Sequence, residues 1–149
     1  MKATVIYDTK FGNTEKVAKA LALGLSDGGA ETDCVHWDQV LPDRLKASDL
    51  VAIGGPTQNR KISPPLDRWL QGLASADVAG KRGFAFDTRY KSRFAGSAAK
   101  DIEARMQNLG MMVVAPSASA IVGGTQGPLE PGAEENFRRI GTDIAKRSA

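Results

Sequence analysis

Apolar and polar positions change period several times along the chain, and each change marks an element. The run Ala3-Thr4-Val5-Ile6-Tyr7 predicts a buried strand. It ends in a polar loop, Asp8-Thr9-Lys10-Phe11-Gly12-Asn13-Thr14. After it, Val17, Leu21 and Leu25 recur every fourth residue. Ala18 and Ala22 widen that face and Glu15, Lys16 and Lys19 lie off it, so a helix starts at Thr14. Gly28-Gly29 stops this helix, and the β-formers Thr32, Val35 and Trp37 predict a second strand over Glu31 to Trp37. A short helix follows over Asp43 to Ala47. Leu50-Val51-Ala52-Ile53 is apolar throughout, as a central parallel strand covered on both faces requires, and stops at Gly54-Gly55-Pro56-Thr57. Gln58 to Ser63 has no period and reads as a loop. Pro64-Pro65 then opens a helix whose Leu66, Trp69, Leu70 and Leu73 make a core-facing stripe. A fourth strand, Arg82 to Phe86, ends at Asp87-Thr88-Arg89-Tyr90, and a loop runs on to Gly96-Ser97. Ala98, Ile102, Arg105 or Met106, and Leu109 mark a helix closed by Gly110. Met111 to Ala115 is a fifth strand. Ser117 to Gly127 reads equally as an extension of that strand or as a small hairpin, and Ala133, Phe137, Ile140 and Ile144 define a last helix.

Strand and helix alternate five times with no linker, repeat or compositional break. The expectation is one doubly wound α/β domain over residues 1–149, a parallel sheet with helices on both faces. In such sheets ligands sit beyond the carboxyl ends of the strands. Three loops leave strands on that edge: Asp8 to Asn13, Gly54 to Ser63 and Asp87 to Gly96. The first carries the clearest chemistry. The opening N–H groups of a helix lack intrahelical acceptors and carry the positive end of its dipole, so they suit an anion. Thr9 and Thr14 add hydroxyl donors, and Gly12 lets the backbone approach closely. The plainer alternative is that Asn13 or Thr14 caps the helix and Gly12 makes a turn.

Composition narrows the classes without choosing among them. At 149 residues, 42% hydrophobic and 25% charged, the chain has an ordinary globular make-up. No apolar stretch reaches the roughly 18 residues of a membrane span, and Asp8 interrupts the first run before a signal-peptide core forms, so a cytoplasmic protein is expected. The lone Cys34 cannot form an internal disulfide and reads as a small core residue. The lone His36 lies on an edge-like strand and is assigned no chemistry, and Trp69 belongs to its helix stripe. The net charge of +3 is spread without a dense basic run or a nucleic-acid module, which argues against nucleic-acid binding. No Gly-x-Gly-x-x-Gly follows the first strand, and no Walker-type loop occurs. Gly54-Gly55 stands where a phosphorylation receiver needs an aspartate. Cys34 leads into His36-Trp37-Asp38, with no arginine anion loop of a cysteine phosphatase.

The loops together resemble the flavodoxin family. Thr9-Lys10-Phe11-Gly12-Asn13-Thr14 is similar to its Ser/Thr-x-x-Gly-Asn-Thr phosphate loop, between a strand and a helix. Gly54-Gly55-Pro56-Thr57 with Pro64-Pro65-Leu66 resembles its Gly-x-Pro-Thr turn and following helix. Asp87-Thr88-Arg89 with Gly96-Ser97-Ala98-Ala99 resembles the other flavin-facing loop. The resemblance implies a five-stranded sheet of order 2-1-3-4-5 holding FMN noncovalently. It places Thr9, Thr14 and the backbone of Lys10, Phe11, Gly12 and Asn13 on the phosphate, and Pro56, Thr57, Gln58, Asn59, Asp87, Thr88, Arg89 and Tyr90 beside the ring. It implies an electron carrier with a redox partner protein. The alternatives are a small FMN-dependent reductase or dehydrogenase for a quinone-like or porphyrin-like substrate, or a module that no longer binds FMN. Carriers of the family are usually acidic and often sandwich the ring between aromatics. This chain is basic, with Tyr90 the leading aromatic and Phe94 or Phe11 behind it, so one-sided or absent stacking is expected. Lys10, Arg60, Lys61, Arg89, Lys91 and Arg93 crowd the loops. They form either a solvated rim or a basic surface for an acidic or phosphate-bearing partner.

Overall fold

In the computed structural model, which describes residues 1–148, the elements follow the order β1 (Lys2–Tyr7), α1 (Asn13–Asp27), β2 (Glu31–His36), α2 (Pro42–Ala47), β3 (Leu50–Gln58), β4 (Lys61–Ile62), α3 (Pro64–Gln71), α4 (Ser75–Val78), β5 (Arg82–Arg89), α5 (Ala98–Asn108), β6 (Met112–Val113), β7 (Ala118–Ile121) and α6 (Ala133–Ser148). The main sheet is parallel, of order β2-β1-β3-β5 with β6 and β7 sharing the next position. Counting β6 and β7 as one interrupted strand, this is the expected 2-1-3-4-5 order.

Side chains of the central strands alternate between two cores, as strand geometry demands. Val5, Leu50, Ala52, Phe84 and Phe86 face α1 and α6, where Val17, Leu21, Leu25, Phe137 and Ile144 are buried. Ile6, Val51, Ile53 and Ala85 face the other layer, meeting Leu45, Leu66, Leu70, Val78, Ile102 and Met106. Cys34 and Trp69 lie partly buried against the first and second core respectively. Burial raises the Cys34 thiol to about 11, so it stays protonated at neutral pH.

The structure corrects several boundaries. β3 does not stop at Gly54: it runs to Gln58, with Pro56 still in register beside Thr88. The two glycines serve packing. A Cβ on Gly54 would lie 2.1 Å from the Phe86 ring, and one on Gly55 would lie 2.7 Å from Leu66. The presumed loop after Gln58 is a tight hairpin, in which Thr57 and Gln58 pair antiparallel with Ile62 and Lys61. Its turn residues Asn59 and Arg60 have φ of 50° and 67°, both left-handed as a two-residue hairpin turn requires, and without a glycine to signal them. β5 continues through Asp87, Thr88 and Arg89. The fifth position is filled by β6 and then, after an offset, by β7. Ser117 to Gly127 thus extends the strand and then turns back, through a bridge between Val122 and Leu129. The single-turn α4 carried no period of its own, and the second strand ends at His36 as the chain enters a 3-10 turn, Trp37–Gln39.

Candidate functional site

The carboxyl ends of β1, β3 and β5 converge on a cleft of about 350 Å³. Its wall contains Thr9, Lys10, Phe11, Asn13, Thr14, Pro56, Thr57, Gln58, Asn59, Thr88, Arg89 and Tyr90, so three segments far apart in sequence meet at one place. Gly12 and Asp87 are not on this wall. Gly12 is the N-cap of α1, with φ of 90°, a left-handed conformation natural to glycine. Asp87 is fully buried beneath the cleft. Val122 and Thr125 complete the wall and were missed, because the segment after β7 has no period and no motif.

The end of the cleft formed by Thr9 to Thr14 is built mainly of backbone. Neither Asn13 nor Thr14 caps α1. The Thr9 hydroxyl accepts the Gly12 N–H at 2.9 Å, closing the loop. Among the described residues, the N–H groups of Lys10, Phe11, Asn13, Thr14 and Glu15 have no protein acceptor, as the first turn of a helix dictates. The space over Gly12 is open, with nothing within 4 Å of where a Cβ would stand. The Thr14 hydroxyl is buried and shares a 2.8 Å bond with that of Thr88, linking the loop to β5. Behind the loop, the Tyr7 hydroxyl donates to Glu15 Oε1 at 2.8 Å. Burial, then that bond, raise the Tyr7 phenol to about 12, while Glu15 is held below the usual carboxylate range by the same bond.

The other end is built of side chains. Tyr90 is 43% exposed, and its hydroxyl shares a 2.8 Å bond with that of Thr125 across the cleft mouth. The Asn13 amide donates to Gln126 O at 3.1 Å, so the returning segment is tied to both ends of the cleft. Arg89 Nη1 donates to Gly96 O at 2.9 Å, whereas its Nε is buried with no partner. Among the described residues, none of Lys10, Arg60, Lys61, Arg89, Lys91 and Arg93 has a carboxylate within 4.0 Å. Lys10 lies over Phe11 at 5.5 Å and Arg93 over Phe94 at 4.8 Å, with Phe94 64% exposed.

A site of this geometry offers an anion cradle at one end and flat polar and aromatic surfaces at the other. The flavodoxin family model matches residues 5–139. The chain belongs to the flavodoxin family. Among curated relatives, it is 33% identical over 89 residues to a flavodoxin of Clostridium saccharobutylicum, covering 59% of this chain and 56% of that one. It is also 33% identical over 111 residues to a nitric oxide reductase of Moorella thermoacetica, covering 71% of this chain and 27% of the relative. Matched segments span between 23% and 56% of the curated relatives' lengths. Among solved structures, an archaeal flavodoxin superposes with a TM-score of 0.86 at 28% identity, covering 99% of this chain and 98% of the other. The flavodiiron protein from Giardia intestinalis shares the fold, with a TM-score of 0.79 at 24% identity over 99% of this chain and 36% of that one.

Flavodoxins bind FMN. The residues present fit that group: five unpartnered N–H groups and an open glycine suit a phosphate dianion. The cleft that Thr9, Lys10, Phe11, Asn13 and Thr14 line, together with the ends of β3 and β5, is within the size range of small-molecule sites. No helix of the described residues is long and apolar enough to cross a membrane.

Proposed function

We propose that the chain is an FMN-binding electron carrier, with Thr9 to Thr14 holding the phosphate and Pro56, Thr57, Gln58, Asn59, Thr88, Arg89 and Tyr90 beside the ring. The observation that carries this reading is the convergence of both regions on one cleft. When bound, FMN supplies one-electron redox chemistry. The chain's own residues bind and orient it. No carboxylate, imidazole or thiol lines the cleft among the described residues, which favours a carrier over an enzyme with its own acid–base chemistry on a substrate.

The partner that suits this cleft is acidic or phosphate-bearing at its docking surface. Among the described residues, six loop cations lack carboxylate partners, and two of them lie over exposed aromatic rings, Lys10 over Phe11 on the cleft wall and Arg93 over Phe94. Such a surface speeds encounter with an opposite charge and loses that advantage as salt rises.

The test is a titration of the cofactor-free protein with FMN and with riboflavin. The expected result is FMN bound at least about tenfold more tightly, the worth of a charged hydrogen bond or more. Equal affinities would remove the phosphate from the loop, and binding of neither would leave a module without flavin. Turnover of a nicotinamide cofactor with a quinone would favour the reductase instead.

A further inference from the structure

Two carboxylates lie beneath the cleft and repeat one arrangement. Asp8, 7% exposed, occupies the exit of β1, immediately before Thr9. Its Oδ2 accepts the Ser63 hydroxyl at 2.6 Å, and its Oδ1 accepts Trp37 Nε1 at 3.1 Å and lies 3.4 Å from His36 Nε2. Its own N–H donates to Gly54 O at 3.0 Å. Ser63 is fully buried and stands at the N-cap of α3. Asp87, fully buried, occupies the corresponding stretch of β5, immediately before Thr88. Its Oδ2 accepts the Ser97 hydroxyl at 2.7 Å, the Ala99 N–H at 3.0 Å and the Thr57 hydroxyl at 3.3 Å. Ser97 is the N-cap of α5. Each carboxylate thus joins a strand end to the serine that starts a helix on the α3–α5 side of the sheet, and each adjoins a residue of the cleft wall.

A buried carboxylate is costly unless donors converge on it, and here they do so from separate elements. Asp8 draws them from α3 and from the turn after β2, so it anchors the first residue of the phosphate loop against both neighbours of β1. Asp87 draws them from the end of β3 and the start of α5. It therefore holds Thr57 and Thr88, on opposite strands of the wall, in one register; its Oδ1 has no partner.

We propose that Asp8 and Asp87 are positioning residues that divide the cleft: Asp8 sets the phosphate loop, and Asp87 sets the two strand ends beside the ring. Neither touches the ligand. The proposal rests on the FMN reading, and it adds that the two halves of the ligand are held by halves of the protein with their own anchors, which meet at the Thr14–Thr88 hydroxyl bond.

The experiment compares Asp8→Asn and Asp87→Asn, with Ser63→Ala and Ser97→Ala removing the donor in place of the acceptor. FMN, riboflavin and inorganic phosphate are titrated into each, and amide hydrogen exchange is followed without ligand. Asp8→Asn and Ser63→Ala should weaken FMN and phosphate about tenfold and leave riboflavin within about threefold. Asp87→Asn and Ser97→Ala should weaken FMN and riboflavin by the same factor and leave phosphate unchanged. Exchange should quicken at Asp8 and Gly12, whose N–H groups donate to Gly54 O and to the Thr9 hydroxyl, in the first pair, and at Ala98 and Ala99, whose N–H groups donate to Thr57 and Asp87, in the second. Equal losses for FMN and riboflavin in the first pair, or exchange quickened across the whole sheet, would overturn the division. If wild type binds neither flavin, the FMN reading fails by itself; confined exchange would still uphold the two anchors.

Discussion

The two ends of the cleft are built from different material. The end proposed for the phosphate is one contiguous stretch, Thr9 to Thr14, whose donors are N–H groups left over because a helix begins there. The end proposed for the ring takes Pro56 to Gln58 from β3 and Asn59 from the turn after it, Thr88 and Arg89 from β5 and Tyr90 just beyond it, and Val122 and Thr125 from the return after β7. A local, backbone-made site needs only its own turn. A side-chain wall assembled from three segments depends on register, on buried anchors and on the hairpin at Asn59-Arg60. The phosphate end should therefore respond to changes in backbone conformation and to loss of its hydroxyls, and the ring end to changes in charge and aromatic surface.

The largest effect that would break this contrast is expected at Thr14. Thr14→Val removes a hydroxyl from the cradle and its bond to Thr88, and should weaken FMN by about 1–3 kcal/mol while riboflavin changes little. Fluorescence titration of both ligands checks it; equal losses would mean that the hydroxyl serves the ring end through Thr88. Next is Gly12→Ala. With open space around the new Cβ, the cost is the left-handed backbone alone, about 1–2 kcal/mol in a denaturant melt. No cost would mean that the loop conformation is soft and the cradle is not pre-formed.

At the ring end, Arg89→Gln should lower the potential of bound FMN. The guanidinium favours the more negative reduced flavin, and each tenfold loss of that preference is about 59 mV for one electron. A redox titration beside wild type measures this, and an unchanged or higher potential would mean that Arg89 serves Gly96 and not the ring. Tyr90→Ala should brighten the fluorescence of bound flavin, since Tyr90 is the only tyrosine on the wall. Unchanged emission with FMN bound would move stacking to Phe11, the other aromatic side chain on the wall, or leave the ring uncovered.

The smallest effect is one of pH. Tyr7 titrates at about 12 in the folded chain against 10.0 for the free phenol, so its contribution to stability is complete below about pH 10 and is lost as pH rises through 12. Alkaline denaturation should steepen across that window, and Tyr7→Phe should flatten it. Because Tyr7 braces Glu15 in the first turn of α1, FMN affinity should fall in the same window more than riboflavin affinity does.

The sequence by itself determined the fold class, the two-sided burial of the central strands and the anion cradle. These follow from local periodicity and from the geometry of any strand-turn-helix, which Val17, Leu21 and Leu25 on one side and Thr9, Gly12 and Thr14 on the other spell out within a few residues of one another. Only the tertiary structure decided what Gly54, Gly55 and Asp87 do. A glycine pair reads as a turn until the Phe86 ring and Leu66 are seen to occupy the space of a Cβ. An aspartate after a strand reads as a ligand-facing polar residue until Ser97, Ala99 and Thr57 are found to donate to it below the surface. The turn at Asn59-Arg60 and the wall residues Val122 and Thr125 were hidden for the same reason. Their roles come from partners dozens of residues away, and sequence spacing carries no record of which distant groups a parallel register brings together.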